Sequence, residues 1–253
     1  MFALCTLSVI PLRAEASDRS EIVSQVLFGE HFEIIEKNQQ WSKVRLHFDH
    51  YEGWVDSKQY QVISKESYDK LSNDALILNA DLVEYAFTPD NQLTPLTLGA
   101  SLSFLHHPEI NTANYQFEGL KLSGIKPKSE LITTAFMYLN APYLWGGKTP
   151  FGIDCSGLTQ MVYKLNGYPL LRDASQQATQ GDVLSFIEES EPGDLAFFDN
   201  EEGKIIHVGI MLENNYIIHA SGKVRIDRLD HLGIYNADQN RHTHRLRVIK
   251  KIV

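Results

Sequence analysis

At Pro127 the apolar residues of this chain change period. Ahead of it, short runs at residues 21–27, 32–35 and 41–46 are each cut off by turn residues, the spacing of short strands in a small barrel or sandwich. Beyond it, Leu131, Ile132, Ala135, Phe136 and Leu139 fall near the helical repeat, with Ser129 as a cap, and strand-like runs return only after two helical stretches. The two patterns cannot share one layer. The chain is therefore expected to fold as a β-rich N-terminal part followed by an α+β domain whose helices pack on an antiparallel sheet. With 253 residues there is room for both.

Residues 1–12 are mostly apolar, and Ala14-Glu15-Ala16 imitates a signal cleavage site. No Lys or Arg precedes the apolar run, however, and Arg13 follows it, which inverts the charge order of a secretory signal. Thr6 and Ser8 alternate with Leu7 and Val9, so the segment reads as a first strand, with Cys5 as core packing. The run Tyr51-Glu52-Gly53-Trp54-Val55 closes the first set of strands, and Trp54 is expected in its core. A polar connector at residues 64–74 suits a short helix. Residues 75–123 repeat the strand style less clearly, and their His106-His107 pair reads as surface, since strand neighbours face opposite ways.

Charge removes several functions. The sum of 23 basic and 32 acidic residues is −9, which offers no general attraction to nucleic acid or anionic membrane. Two cysteines, Cys5 and Cys155, make no disulfide framework and fit a reducing compartment. No stretch approaches the roughly 18 apolar residues of a membrane span.

The chemistry concentrates between residues 143 and 219. A glycine-rich loop runs into Asp154-Cys155-Ser156-Gly157, after which Leu158, Met161, Val162 and Leu165 mark one helical face. Cys155 thus falls in the first turn of a helix with Asp154 as N-cap, where free N–H groups and the helix dipole favour a thiolate and can hold an oxyanion. Two strand-like runs follow, carrying His207 and His219 around a turn at Glu213-Asn214-Asn215. With that turn, residues whose numbers sum to 428 pair across the hairpin. His207 and His219 sum to 426, so they become diagonal neighbours on one face, roughly 7–8 Å apart at Cα. One can take the thiol proton while the other orients it. A zinc site from Cys155, His207 and His219 lacks an evident fourth ligand, so no metal is expected. His242 and His244 read as part of a solvated basic tail.

Asp154-Cys155-Ser156-Gly157, Gly193-Asp194-Leu195, His207-Val208-Gly209 and His219-Ala220 resemble, in order, the motifs of the NlpC family of papain-like cysteine peptidases, over residues 127–253. Residues 1–63 resemble a bacterial SH3-like domain, and residues 75–123 are taken as a second, degenerate one. With Tyr143-Leu144-Trp145-Gly146-Gly147, this organisation is similar to the subgroup of γ-D-glutamyl-L-diamino acid endopeptidases. The resemblance implies catalytic Cys155, His207 and His219, and a monomeric cytoplasmic enzyme without cofactor. Its implied substrate is a murein peptide, L-Ala-γ-D-Glu-diamino acid, met during cell-wall recycling. It also implies a site for the substrate's ammonium at Asp154, Ser156, Glu30 and Tyr51. Arg172 would meet the glutamate carboxylate, helped by Asp173 and Ser175, while Tyr143 and Trp145 would wall the cleft. The rival expectations are a secreted or periplasmic peptidoglycan hydrolase whose SH3-like domains bind wall, and a non-catalytic wall- or peptide-binding protein.

Overall fold

The alternating N-terminal runs become a seven-stranded antiparallel sheet in the computed structural model, which describes residues 1–253. Its strands are β1 (Phe2–Leu4), β2 (Val9–Arg13), β3 (Ile22–Leu27), β4 (His31–Lys37), β5 (Trp41–Leu46), β6 (Glu52–Asp56) and β7 (Gln61–Ile63). Their spatial order is β3-β2-β6-β5-β4-β1-β7. The apolar run at the start of the chain is two strands rather than one, and β1 is paired on both sides, with β4 and β7. Its face carries Ala3 into a core with Ile10, Leu12, Val26, Phe32, Val44 and Val55, and Cys5 follows into the same core. Trp54, expected there, is half-buried instead, because Val55 beside it takes the inward position.

Helix α1 (Lys65–Asn73) is capped by Ser64, whose side chain accepts from the Ser67 N–H. It leads into the small strands β8 (Ile77–Asn79), β9 (Val83–Phe87), β10 (Leu93–Thr97), β11 (Gln116–Phe117) and β12 (Lys121–Ser123). These form two minor sheets, β10-β9-β11 and β12-β8. They share a second core in which Leu4 of β1 and Phe28 of the turn after β3 meet Leu71, Leu96, Leu102 and Phe104. Gly29 permits that junction. Its φ is +77°, and the Ser101 carbonyl occupies the place a Cβ would need.

The chain as a whole is mostly sheet with few helices, and it divides into two compact units. One comprises Met1–Gly124 with Trp145–Thr149, and the other Ile125–Leu144 with Pro150–Val253. The second unit opens with α2 (Glu130–Met137). Ser129 does not cap it, because its backbone is already helical and the Glu130 N–H reaches the Pro127 carbonyl, so the turn begins earlier. Short strands β13 (Lys148–Thr149) and β14 (Gly152–Ile153) precede α3 (Cys155–Leu165) and α4 (Ala174–Gln177). Then come β15 (Asp182–Leu184), β16 (Leu195–Asp199), β17 (Ile205–Met211), β18 (Tyr216–Ser221), β19 (Lys223–Asp230), β20 (Gly233–Asn236) and β21 (Arg241–Lys251). The sheet order is β15-β21-β16-β17-β18-β19-β20, and a further pairing of β21 with β20 closes β16 to β21 into a ring.

Helix α3 packs on β17 and β18. Its sequence reads as amphipathic, yet every one of its residues is buried. The polar face is anchored by protein: Thr159 donates to Gln177 Oε1 at 2.7 Å and Gln160 donates to the Leu170 carbonyl at 3.1 Å. A helix fixed on all sides is a stiff mount for whatever its first turn carries.

Candidate active site

Cys155 opens α3, and Asp154 is its N-cap, the carboxylate accepting from the Gly157 N–H at 2.6 Å. The same carboxylate holds Arg172 in a two-pronged pair at 3.0 and 2.6 Å, and Arg172 also donates to Ser156 Oγ at 2.9 Å. Arg172 is 1% exposed. Three of the residues singled out in the sequence are thus joined in one buried network beside the thiol. The sequence reading gave Asp154 to an ammonium and Arg172 to a carboxylate; here the two charges also face each other. Asp173 occupies the N-cap position of α4 and its N–H donates to Gln176, while Ser175 lies exposed on that helix. Tyr143 is half-buried, and its phenol is pushed up to about 12 by burial and then by Cys155 and Asp154, which places it near both.

The remaining singled-out residues belong to the other unit. Glu30, 8% exposed, accepts from the Leu27 N–H at 2.8 Å and has the fully buried Lys148 ammonium at 3.5 Å. Tyr51 packs against the first core, and the exposed Trp145 donates its indole N–H to Glu21 at 2.5 Å.

The hairpin arithmetic holds. Gly209 pairs with His219 and Ile210 with Ile218, while Asn214 and Asn215 adopt the left-handed turn conformation. His207 Nε2 lies 2.8 Å from His219 Nδ1. Gly209 makes this possible, since a Cβ there would press on Ile217 and on the Cβ of His219.

The chain of hydrogen bonds runs on. His219 Nε2 meets Asp227 Oδ2 at 2.9 Å, and Arg225 grips Asp227 at 2.6 and 2.9 Å. Burial alone would raise the Asp227 carboxyl, but His219 and Arg225 outweigh it and hold it below the usual range. An ionised Asp227 fixes both tautomers. It accepts from His219 Nε2–H, so His219 Nδ1 accepts from His207 Nε2–H. The lone pair of His207 is then left on Nδ1, free to act as a base.

Cys155 is 8% exposed, and its sulfur receives backbone hydrogen bonds from Val208, the neighbour of His207, and from Ser156. The thiol is nevertheless pushed up to about 12, by burial first and by Asp154 second. His207 is held well below its ordinary value, again mainly by burial. The expectation of a resting thiolate made by the helix start is therefore corrected. Burial and Asp154 outweigh the lowering pull of the Val208 and Ser156 N–H groups and of Arg172, and with His207 pushed down the site favours neutral thiol and neutral imidazole. Proton transfer between them creates two opposite charges together and leaves the site's net charge unchanged.

Asp227, Arg225 and a third histidine, His244, were missed in the sequence. The signal for Asp227 was present. With Gly222 as the turn, β18 and β19 pair at a sum of 444, as His219 with Arg225, and His219 plus Asp227 is 446, a diagonal neighbour on the opposite side of the pairing from that of the histidine pair. His244 gave no such signal, because β21 reaches β20 across a register shift between Ile234 and Tyr235. It is not in a solvated tail: its ring stacks on His207. His242 does lie exposed, paired with Asp230.

A thiol at a helix start, on a sheet that carries an imidazole pair and an acid, defines a cysteine peptidase. The profile of the NlpC/P60 family matches residues 140–245, and that of the bacterial dipeptidyl-peptidase SH3 domain matches residues 12–59. The chain is 31% identical to the γ-D-glutamyl-L-lysine dipeptidyl-peptidase of Bacillus subtilis, over 79% of this chain and 72% of that one. It is 29% identical to dipeptidyl-peptidase 6 of Lysinibacillus sphaericus, over 91% and 92%. A solved NlpC/P60 family protein from Bacillus cereus superposes with a TM-score of 0.80 at 20% identity, covering 100% of this chain and 99% of that one, which shows a shared fold. The chain belongs to the NlpC/P60 family and is a peptidase.

Proposed function

We propose that this peptidase hydrolyses the γ-D-glutamyl-L-diamino acid bond of murein peptides that carry a free N-terminal L-Ala, releasing the dipeptide L-Ala-D-Glu. The observation that carries the reading is the Asp154–Arg172–Ser156 network adjoining Cys155. A substrate with an ammonium at one end and a carboxylate at the γ-linked glutamate presents the complementary pair of charges. Relatives named as dipeptidyl-peptidases that align over most of the chain support the same reading.

In the proposed mechanism His207 Nδ1 takes the Cys155 proton as Sγ attacks the γ-carbonyl carbon. The oxyanion is held by the Cys155 N–H at the start of α3, since the next N–H groups serve the sulfur and Asp154. Collapse breaks the C–N bond, and His207 returns its proton to the departing amine. Water, deprotonated by His207, then cleaves the thioester and restores the thiol. His219 and Asp227 hold the imidazole in the working tautomer throughout. Tyr143, Trp145, Asp173, Ser175, Glu30 and Tyr51 are proposed as further substrate-binding residues. We read residues 1–63 and 75–123 as two SH3-like modules, and the enzyme as a monomer of the cytoplasm acting in murein recycling, where unpaired thiols persist.

The experiment compares L-Ala-γ-D-Glu-L-Lys with its N-acetylated form. Acetylation removes the ammonium, and the expected loss in kcat/KM is about 100-fold or more. Equal turnover of both peptides would reject the free-amine reading and favour a hydrolase of intact wall.

A further inference from the structure

His244 stands within the candidate site. Its ring stacks on His207 with centroids 4.1 Å apart and 25° between the planes. It meets His219 nearly edge-on at 5.7 Å and Phe198 at 6.0 Å. Phe198 in turn lies 5.7 Å from His207, tilted by 47°. The imidazole of His207 is therefore tied at Nε2 to His219, covered on one face by His244 and flanked by Phe198. Thr243 Oγ1 donates to the Ile234 carbonyl and lies 2.9 Å from His244 Nδ1, so Nδ1–H donates to Thr243 and fixes this ring as well.

We propose that His244 is a positioning residue for the general base: its ring pins the plane of His207, the imidazole assigned above to take the Cys155 proton at its Nδ1. The proposal rests on the Cys155–His207 assignment above. One hydrogen bond at Nε2 leaves a ring free to pivot about that bond, and a stacked neighbour on one face removes the freedom. Misplacement of a reacting group by about 1 Å costs on the order of 100-fold in rate. A neutral stacked ring also offers an electron-rich face to the imidazolium that forms during turnover.

Charge sets a second signature. The charged or titratable groups facing His244 are His207 on β17, His219 on β18 and Asp227 on β19; β16 and β20 bring Phe198 and Ile234, which carry no charge. Burial and then His219 push His244 down to about 4, against the pull of Asp227, so it is neutral at pH 7. Once protonated it opposes a proton on His207. Phenylalanine at this position keeps the stack and removes the repulsion, which raises the pH at which His207 is lost to protonation.

The test measures kcat and KM on L-Ala-γ-D-Glu-L-Lys, and the rate at which iodoacetamide alkylates Cys155, in His244→Ala and His244→Phe. The alanine variant is expected to lose about tenfold or more in kcat, with KM within about twofold and alkylation slowed in parallel. The phenylalanine variant is expected to recover to within about threefold at neutral pH and to move the acid limb of kcat/KM to higher pH. An alanine variant with kcat within about twofold of wild type, a loss confined to KM, or a phenylalanine variant as slow as alanine would overturn the proposal. Thermal unfolding of each variant separates a lost fold from a lost position. Cys155→Ala measured alongside separates the two readings. Turnover surviving in that variant defeats the nucleophile assignment, whereas an inert Cys155→Ala beside an unimpaired His244→Ala defeats only the role of His244.

Discussion

Each unit of this protein contains a buried free thiol and a stacked pair of imidazoles, and the two sets are built to opposite ends. Cys5 and Cys155 are both pushed up to about 12, chiefly by burial. His31 stacks on His47 at 4.5 Å and 21°, much as His207 stacks on His244 at 4.1 Å and 25°. Neither burial nor stacking tells the sets apart. Their hydrogen bonds do. The Cys5 thiol donates to the carbonyls of Leu7 at 3.3 Å and Val26 at 3.8 Å, acceptors that hold its proton in place. Cys155 receives N–H bonds from Val208 and Ser156, donors that stabilise sulfur once its proton has gone. The His31–His47 pair ends on the Ser72 hydroxyl, which donates to the Tyr68 carbonyl and so accepts from both rings. The His207 chain ends on an ionised carboxylate. Reactivity follows from what a deprotonated or protonated partner would find waiting for it.

The comparison breaks most readily at the two sulfurs. Cys155→Ala is expected to lower kcat/KM on the γ-D-glutamyl peptide by about 10⁴-fold or more, the scale seen when a nucleophile is deleted. Cys5→Ala is expected to keep activity within about twofold and to cost about 1–2 kcal/mol of stability, from lost core volume. Steady-state kinetics and urea titration of the two variants measure both halves. If Cys5→Ala lost activity without unfolding, the contrast in hydrogen bonding would be the wrong explanation.

The next effect lies at the far end of the relay. Asp227→Asn keeps the shape and removes the charge that fixes the two tautomers, leaving Arg225 facing an amide. The expected loss is on the order of 100-fold in kcat with little change in KM. A variant with wild-type kcat would show that the His207–His219 bond orders itself without an acid behind it.

The sequence disclosed these features unevenly, for physical reasons. Cys155 and Asp154 were legible because a helix start after a glycine-rich loop is a local signal. His207 and His219 were legible because strands joined by a tight turn carry their register in their numbering. The next hairpin carries its register in the same way, and Asp227 is the diagonal neighbour of His219 on its far side. His244 was hidden by a bulge that breaks the count, and the burial of all of α3 was hidden because its polar face is met by the loop and short helix that follow it, which helical periodicity does not register. Protonation was the least legible. A helix start read alone predicts a lowered thiol pKa, and only the packed structure shows the burial and the Asp154 charge that push it up. In the N-terminal part, short strands were visible as strands, but the core joining Leu4 and Phe28 to residues 71–117 required contacts that no local pattern encodes.

The smallest effect sharpens the contrast from the quiet side. His31 is pushed down to about 4, by burial first and then by His47, while the unfolded chain titrates near the ordinary value of 6.5. A group whose folded pKa is depressed binds fewer protons folded than unfolded between those two values. Stability is therefore present above about pH 6.5, falls as the pH drops, and stops falling below about 4. Between pH 7 and pH 5 the expected loss through His31 is about 2 kcal/mol, read from urea midpoints at the two values. His31→Phe keeps an aromatic ring against His47 and Tyr68 and should flatten that slope. Because Ser72 links these rings to α1, the loss should appear first as weakened protection of the α1 amides, with kcat at pH 7 unchanged. A slope equally steep in His31→Phe would mean that the acid sensitivity belongs to the other stack, and that the two imidazole pairs are less separate in function than their hydrogen bonds imply.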